Sequence, residues 1–142
     1  MYEKLTAAVI LVVEDVHEIS ESIEKLLRVD GYRVTQARNE SKAIESARLT
    51  RPDLILLSWI GLSSEVIATV SRIREQAEIS EHIPMVFWVE DLNEGEEIEV
   101  DRNVHLTRPD SFNQLRGLLA RLLHPEIVGA THADKPVLPE MN

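Results

Sequence analysis

The chain has 142 residues, 44% of them hydrophobic, which suits one domain with an ordinary buried core and leaves no room for a second. It has no cysteine, excluding disulfides, thiolate metal sites and cysteine nucleophiles, and its 15 Lys and Arg against 25 Asp and Glu give a formal charge of −10. The basic residues are scattered, so no basic stripe exists to displace counterions from a nucleic acid. The longest wholly apolar run, Ala7 to Val13, is too short to cross a bilayer and lacks the flanks of a secretory signal. A soluble cytoplasmic protein that binds neither nucleic acid nor membrane is expected.

Ala8 to Val13 reads as a buried strand that ends abruptly in the carboxylates of Glu14 and Asp15. From His17 to Val29, Ile19, Ile23, Leu26 and Leu27 recur at helical spacing, and Gly31 supplies the left-handed stop. Tyr32 to Ala37 alternates like a strand near a sheet edge, and Asn39 can cap a helix that turns Ala43, Ile44 and Ala47 inward. Pro52 leads into Leu54-Ile55-Leu56-Leu57-Ser58, apolar on both faces, as a central parallel strand requires. Val66, Ile67, Val70 and Ile73 mark a third helix from about Ser63 or Ser64 to Gln76.

Met85 to Val89 is a fourth apolar strand. Between Asp91 and Arg102 only Leu92, Ile98 and Val100 could anchor anything, so any helix there should be short or loosely packed. Val104 to Leu106 makes a brief fifth strand, and Asp110 or Ser111 caps a last helix burying Phe112, Leu115, Leu119 and Leu122. The folded domain is expected over residues 7–124. Residues 125–142, with three prolines and no periodicity, read as a mobile tail.

Strands alternating with helices give an α/β doubly wound sheet, flavodoxin-like, with five parallel strands in the order 2-1-3-4-5. Ligands of such sheets lie outside the carboxyl ends of the central strands. That order sets the ends of the first and third strands side by side, so Glu14, Asp15 and Ser58 should converge.

In this order and spacing, several short stretches make the chain resemble the receiver (CheY-like) domain of two-component response regulators. The carriers are Ile10-Leu11-Val12-Val13-Glu14-Asp15, Gly31-Tyr32-Arg33-Val34, Arg51-Pro52-Asp53-Leu54-Ile55-Leu56-Leu57, Arg72-Ile73-Arg74, Ile83-Pro84-Met85-Val86 and Leu106-Thr107-Arg108-Pro109. The resemblance runs from Val9 to Leu123. It implies a phosphoacceptor aspartate at the end of strand three, sharing Mg²⁺ with the acidic pair after strand one.

Ser58 holds the acceptor position, and a serine hydroxyl is a poor nucleophile unless a base takes its proton. Of the family's switch positions, the hydroxyl residue after strand four aligns with Val89, the reporting aromatic with His105, and the lysine with Arg108. The loop after the acceptor carries Leu62 and Val66 where the family has its turn proline and glycine. Only Glu14 and Asp15 match outright, and they are weak candidates for a metal, because Mg²⁺ demands near-octahedral oxygen ligation.

The expectation is therefore a degenerate, stand-alone receiver, not an enzyme, with no cofactor beyond weak Mg²⁺ binding. It would signal through protein contacts, with Arg108 pairing with Glu14 or Asp15 in place of the metal. The partners implied are a histidine kinase or another response regulator, and a homodimer is compatible with the sequence. Two alternatives stay open: a receiver phosphorylated on Ser58 or a neighbouring carboxylate, and a small flavodoxin-like enzyme or nucleotide binder. The second lacks any glycine-rich phosphate loop among its five glycines and any G-x-S-x-G elbow around Ser58. His105 could also serve as a pH switch, and Trp59 and Trp88 as either a stacking surface or rim packing.

Overall fold

The apolar runs become the strands of one sheet in a computed structural model that describes residues 7–125. Its strands are β1 (Val9–Val13), β2 (Arg33–Ala37), β3 (Leu54–Ser58), β4 (Met85–Trp88), β5 (Glu97–Asp101) and β6 (Val104–Thr107). The helices are α1 (His17–Val29), α2 (Glu40–Leu49), α3 (Val66–Ala77) and α4 (Phe112–Leu123). Sheet order is β2-β1-β3-β4-β6-β5, with every pairing parallel except β5 against β6. With β6 counted as the fifth parallel strand, this is the flavodoxin-like order 2-1-3-4-5. One strand has been added at its edge.

Strand alternation sorts the core into two layers. Leu11, Val13, Ile55, Leu57, Met85 and Phe87 pack on one face against α2 and α3, through Ala43, Ala47, Val66, Val70 and Ile73. Their neighbours Ile10, Val12, Leu54, Leu56 and Val86 face α1 and α4, meeting Ile23, Leu27, Leu115 and Leu119. Burial on both faces is why β1 and β3 carry no polar residue before their last position.

The helix signals locate the helices with small shifts at the ends, but Ile19 and Leu26 of α1 and Ile67 of α3 lie exposed beside the buried stripes. The Asn39 side chain accepts the Lys42 N–H at 2.8 Å, and Ser111, not Asp110, caps α4 by accepting from Gln114. Gly31 takes φ +94° after α1. The third helix starts later than expected, since Ser63–Glu65 forms a 3-10 turn and α3 proper begins at Val66.

The segment from Asp91 to Arg102 is a correction: it contains no loosely packed helix. Glu97-Ile98-Glu99-Val100-Asp101 forms β5, turned back onto β6 by Arg102 and Asn103, with Asn103 in the left-handed region at φ 55°. Acidic residues at every second position have the period of a strand, and a two-residue turn with a left-handed Asn suits a hairpin. The expected mobile tail, residues 125–142, lies outside the described residues apart from Pro125.

Candidate functional site

The carboxyl ends of β1 and β3 meet, because Val13 lies opposite Leu57 in the parallel register. The next residue of each chain is then Glu14 and Ser58, and the Ser58 hydroxyl donates a hydrogen bond to Glu14 Oε1. The other oxygen of Glu14 accepts the Val16 N–H at 2.9 Å, which ties the carboxylate to the entry of α1. Both oxygens are thus committed within the chain. Asp15, the second member of the pair, is exposed.

The remaining switch positions do not converge on Ser58. Val89 follows β4, is fully buried and spends its N–H on the Thr107 carbonyl at 3.0 Å, so it brings no donor to the site. Arg108 corrects the expectation of an ion pair with Glu14 or Asp15: its guanidinium donates to the Leu92 carbonyl at 3.0 Å. The cause is the hairpin. It brings the loop after β4 alongside Arg108, whose own N–H and carbonyl bond Glu96 and Gly95.

His105 lies on β6 facing the α4 layer, with Nε2 buried and without a hydrogen-bond partner among the described residues. Burial pulls its pKa below the ordinary 6.5, and nearby Glu99 pulls the other way. The tryptophans take the packing role. Trp59 meets Phe87 edge to face at 5.4 Å between centroids and donates its indole N–H to Leu62, while Trp88 packs in the α1 and α4 layer.

One contact escaped the sequence reading. Ser63, after β3, donates its hydroxyl to Asp91, after β4, at 2.6 Å, and this bond lowers the Asp91 pKa. It ties together two loops at the mouth of the site. The available signal was positional: both residues follow carboxyl ends of adjacent strands. An open cleft of 690 Å³ is lined by Glu14, Asp15, Arg38 and Lys42 and lies on the β2 side, without Ser58 among its walls.

A receiver's Mg²⁺ needs converging oxygen ligands. Glu14 is held by Ser58 and Val16, Asp15 stands alone, and among the described residues no group of three or more His, Asp or Glu could hold a metal ion. The residues present do not fit such a site.

No protein-family model matches the chain. It is 31% identical over 117 residues to the phosphate regulon transcriptional regulatory protein PhoB of Pseudomonas aeruginosa, covering 80% of this chain and 51% of that one. Identity is 28% over 130 residues to the transcriptional regulatory protein KdpE of Staphylococcus aureus, covering 91% and 54%. The chain thus spans about half the length of the curated relatives it matches. Among solved structures it resembles the receiver domain of the sensor histidine kinase PA1611 of Pseudomonas aeruginosa, which has a magnesium ion coordinated in its active site cleft. That match has a TM-score of 0.60 and 26% identity, covering 82% of this chain and 98% of the other. With the strand order, the acidic pair after β1 and the position of Ser58 on β3, these likenesses identify residues 7–125 as a receiver (CheY-like) domain of the kind response regulators carry.

Proposed function

We propose that this receiver is an interaction module of two-component signalling that takes no phosphoryl group at Ser58, catalyses no reaction and binds Mg²⁺ weakly at most. The observation that carries this reading is the Ser58–Glu14 hydrogen bond, which replaces a repelling pair of carboxylates with a donor and an acceptor. Phosphoryl transfer needs an attacking oxygen and cationic help for the charge that gathers on phosphorus. Here the attacking group is a hydroxyl with no base beside it except a carboxylate already bound to Val16. The nearest family cation, Arg108, is turned to Leu92.

Output then passes through a surface. Ile19 and Leu26 of α1 are 47% and 44% exposed, seven residues apart on the border of the helix's buried face, and suit packing against a helix of a histidine kinase or a second regulator. A cytoplasmic location belongs to the same reading. Among the described residues no helix is long and apolar enough to cross a membrane.

Incubation with acetyl phosphate and Mg²⁺, followed by intact mass measurement, tests the proposal. No mass gain is expected. A stoichiometric gain of one phosphoryl group overturns it.

A further inference from the structure

Among the described residues β5 is the outermost strand of the sheet and bonds to β6 on one side only. Its partners give the direction of its backbone groups. The Arg108 N–H donates to the Glu96 carbonyl at 3.0 Å, and Thr107, Leu106 and His105 stand opposite Glu97, Ile98 and Glu99. Bonded and non-bonded pairs alternate along an antiparallel ladder. Ile98 therefore spends its backbone groups on Leu106, while Glu97 and Glu99 turn theirs outward. Both donors and both acceptors are open to an added extended segment.

The edge also has a charge. No Lys or Arg occurs between Arg74 and Arg102, while Glu94, Glu96, Glu97, Glu99 and Asp101 crowd the strand and its approach. Glu97 is paired with Arg121 at 2.6 Å, but Glu94, Glu99 and Asp101 form no ion pair among the described residues. Glu97 and Glu99 lie on one face, and Ile98, 38% exposed, lies on the other.

A second copy is the wrong occupant. Edge-to-edge pairing would set this acidic strand against itself, and like charges directly opposite are destabilising. The chain's own ends are no better. Residues 1–6 carry Glu3 and Lys4, and residues 126–142 carry Lys135 against Glu126, Asp134 and Glu140, so neither supplies a basic strand. Charged edges in general resist indiscriminate strand addition, and an acidic one leaves a basic segment as the favoured exception.

We propose that the outer edge of β5 docks a basic, extended segment of a partner protein, which joins the sheet as a further strand. Its Lys or Arg residues stand beside Glu97 and Glu99, and the apolar residues between them lie beside Ile98. This surface rests on the reading that output passes through protein contacts, and it names one such contact.

The probe is a labelled peptide of about ten residues, a generous strand length, alternating Lys and Val, with an alternating Glu and Val peptide as control. Fluorescence anisotropy is expected to show binding of the basic peptide only. It should weaken about tenfold between about 0.01 and about 0.15 M ionic strength, as the Debye length falls from about 30 to about 8 Å. Amide exchange should slow at Glu97 and Glu99 when the peptide is added. Glu99→Gln with Asp101→Asn keeps the acceptors that hold the Asn103 and Arg102 amides, so the hairpin stays formed while the charge is lost. With an unchanged melting temperature, that variant should bind about tenfold more weakly, a difference of about 1.4 kcal/mol.

Absence of binding at low salt overturns the proposal, as does equal binding of both peptides. So does undiminished binding by the folded variant, or protection appearing at β2 in place of β5. A wild type that accepts phosphate yet still binds through β5 overturns the earlier functional reading alone.

Discussion

Ser58 hydrogen-bonds Glu14 across 44 residues of sequence, joining the ends of two neighbouring parallel strands where the receiver family places two carboxylates. The bond gives the acidic residue a neutral donor, so the strand ends can meet without a cation between them. Ser58→Ala should therefore destabilise the fold by about 1 to 2 kcal/mol, the range for losing a hydrogen bond to a charged group at a half-exposed position. Urea unfolding of the two proteins measures it. An unchanged midpoint would mean that water replaces the hydroxyl at no cost.

His105 predicts a pH dependence. Burial lowers its pKa in the folded chain below the ordinary 6.5, and Glu99 and Glu97 on β5 only partly offset burial and Arg121. The unfolded chain thus takes up a proton first as pH falls. Stability should drop from about pH 6.5 downward and level off below the folded pKa. His105→Phe should lose less stability than wild type between about pH 7.5 and about pH 5.5, as urea midpoints would report.

Glu40 predicts a second dependence, at lower pH. Arg72 reaches from α3 to α2 and grips both Glu40 oxygens at 2.7 and 3.0 Å, and these hydrogen bonds lower the Glu40 pKa against the opposing effect of burial. The unfolded carboxylate, without Arg72, protonates at a higher pH. The pair therefore stabilises the fold above the unfolded pKa and is lost as pH falls through the lowered folded value. Glu40→Gln should be slightly less stable than wild type at neutral pH and converge on it as pH falls through the lowered folded pKa, a convergence visible in thermal melts. The effect is small because the Arg72 and Glu40 side chains are 50% and 34% exposed, so water screens the pair.

Glu78 offers a stabilising change. It ends α3 with φ 56°, in the left-handed region that costs a residue with a Cβ about 1 kcal/mol. Its carbonyl accepts from Arg51 at 2.6 Å, a bond that glycine keeps, and its carboxylate joins no ion pair among the described residues. Glu78→Gly should gain about 0.5 to 1 kcal/mol in urea unfolding, the relief of the left-handed strain outweighing the glycine's extra freedom in the unfolded chain.

How much of this was legible in the sequence depended on how many residues shared a signal. Val9–Val13, residues 54–57 and Met85–Trp88 could be read because each is a short continuous apolar run of strand length, as a strand covered on both faces requires. The meeting of Glu14 with Ser58 followed from strand order alone. β5 was missed because its alternation spans five residues, three of them acidic, and regular winding favours a helix at that point. Arg108 was misjudged because its choice of partner depends on that hairpin, which puts the Leu92 carbonyl within its reach. A side chain's destination is set by the neighbours that folding assembles, and one unread element was enough to redirect it.

On the proposed reading, Ser58→Asp tests whether the residue at the acceptor position is enough by itself to decide between an interaction module and a phosphorylation switch. The substitution removes the donor to Glu14 and places a third carboxylate beside Glu14 and Asp15, so the variant should be less stable than wild type without divalent ions. Millimolar Mg²⁺ should raise its melting temperature more than that of wild type. Switching should still fail. Val89 is buried without a hydroxyl, Arg108 is held by Leu92, and Ser63 with Asp91 ties the two loops that would have to move. A swing from 1:99 to 99:1 between two conformations needs a ligand to favour one by about 5.5 kcal/mol, and these positions supply no hydrogen bond that forms only with a phosphoryl group. Treated with acetyl phosphate and Mg²⁺, the variant should gain mass slowly and incompletely, and its elution volume should not change. A fully phosphorylated variant that elutes as a new oligomer would show that the residue at position 58 alone decides whether this domain switches.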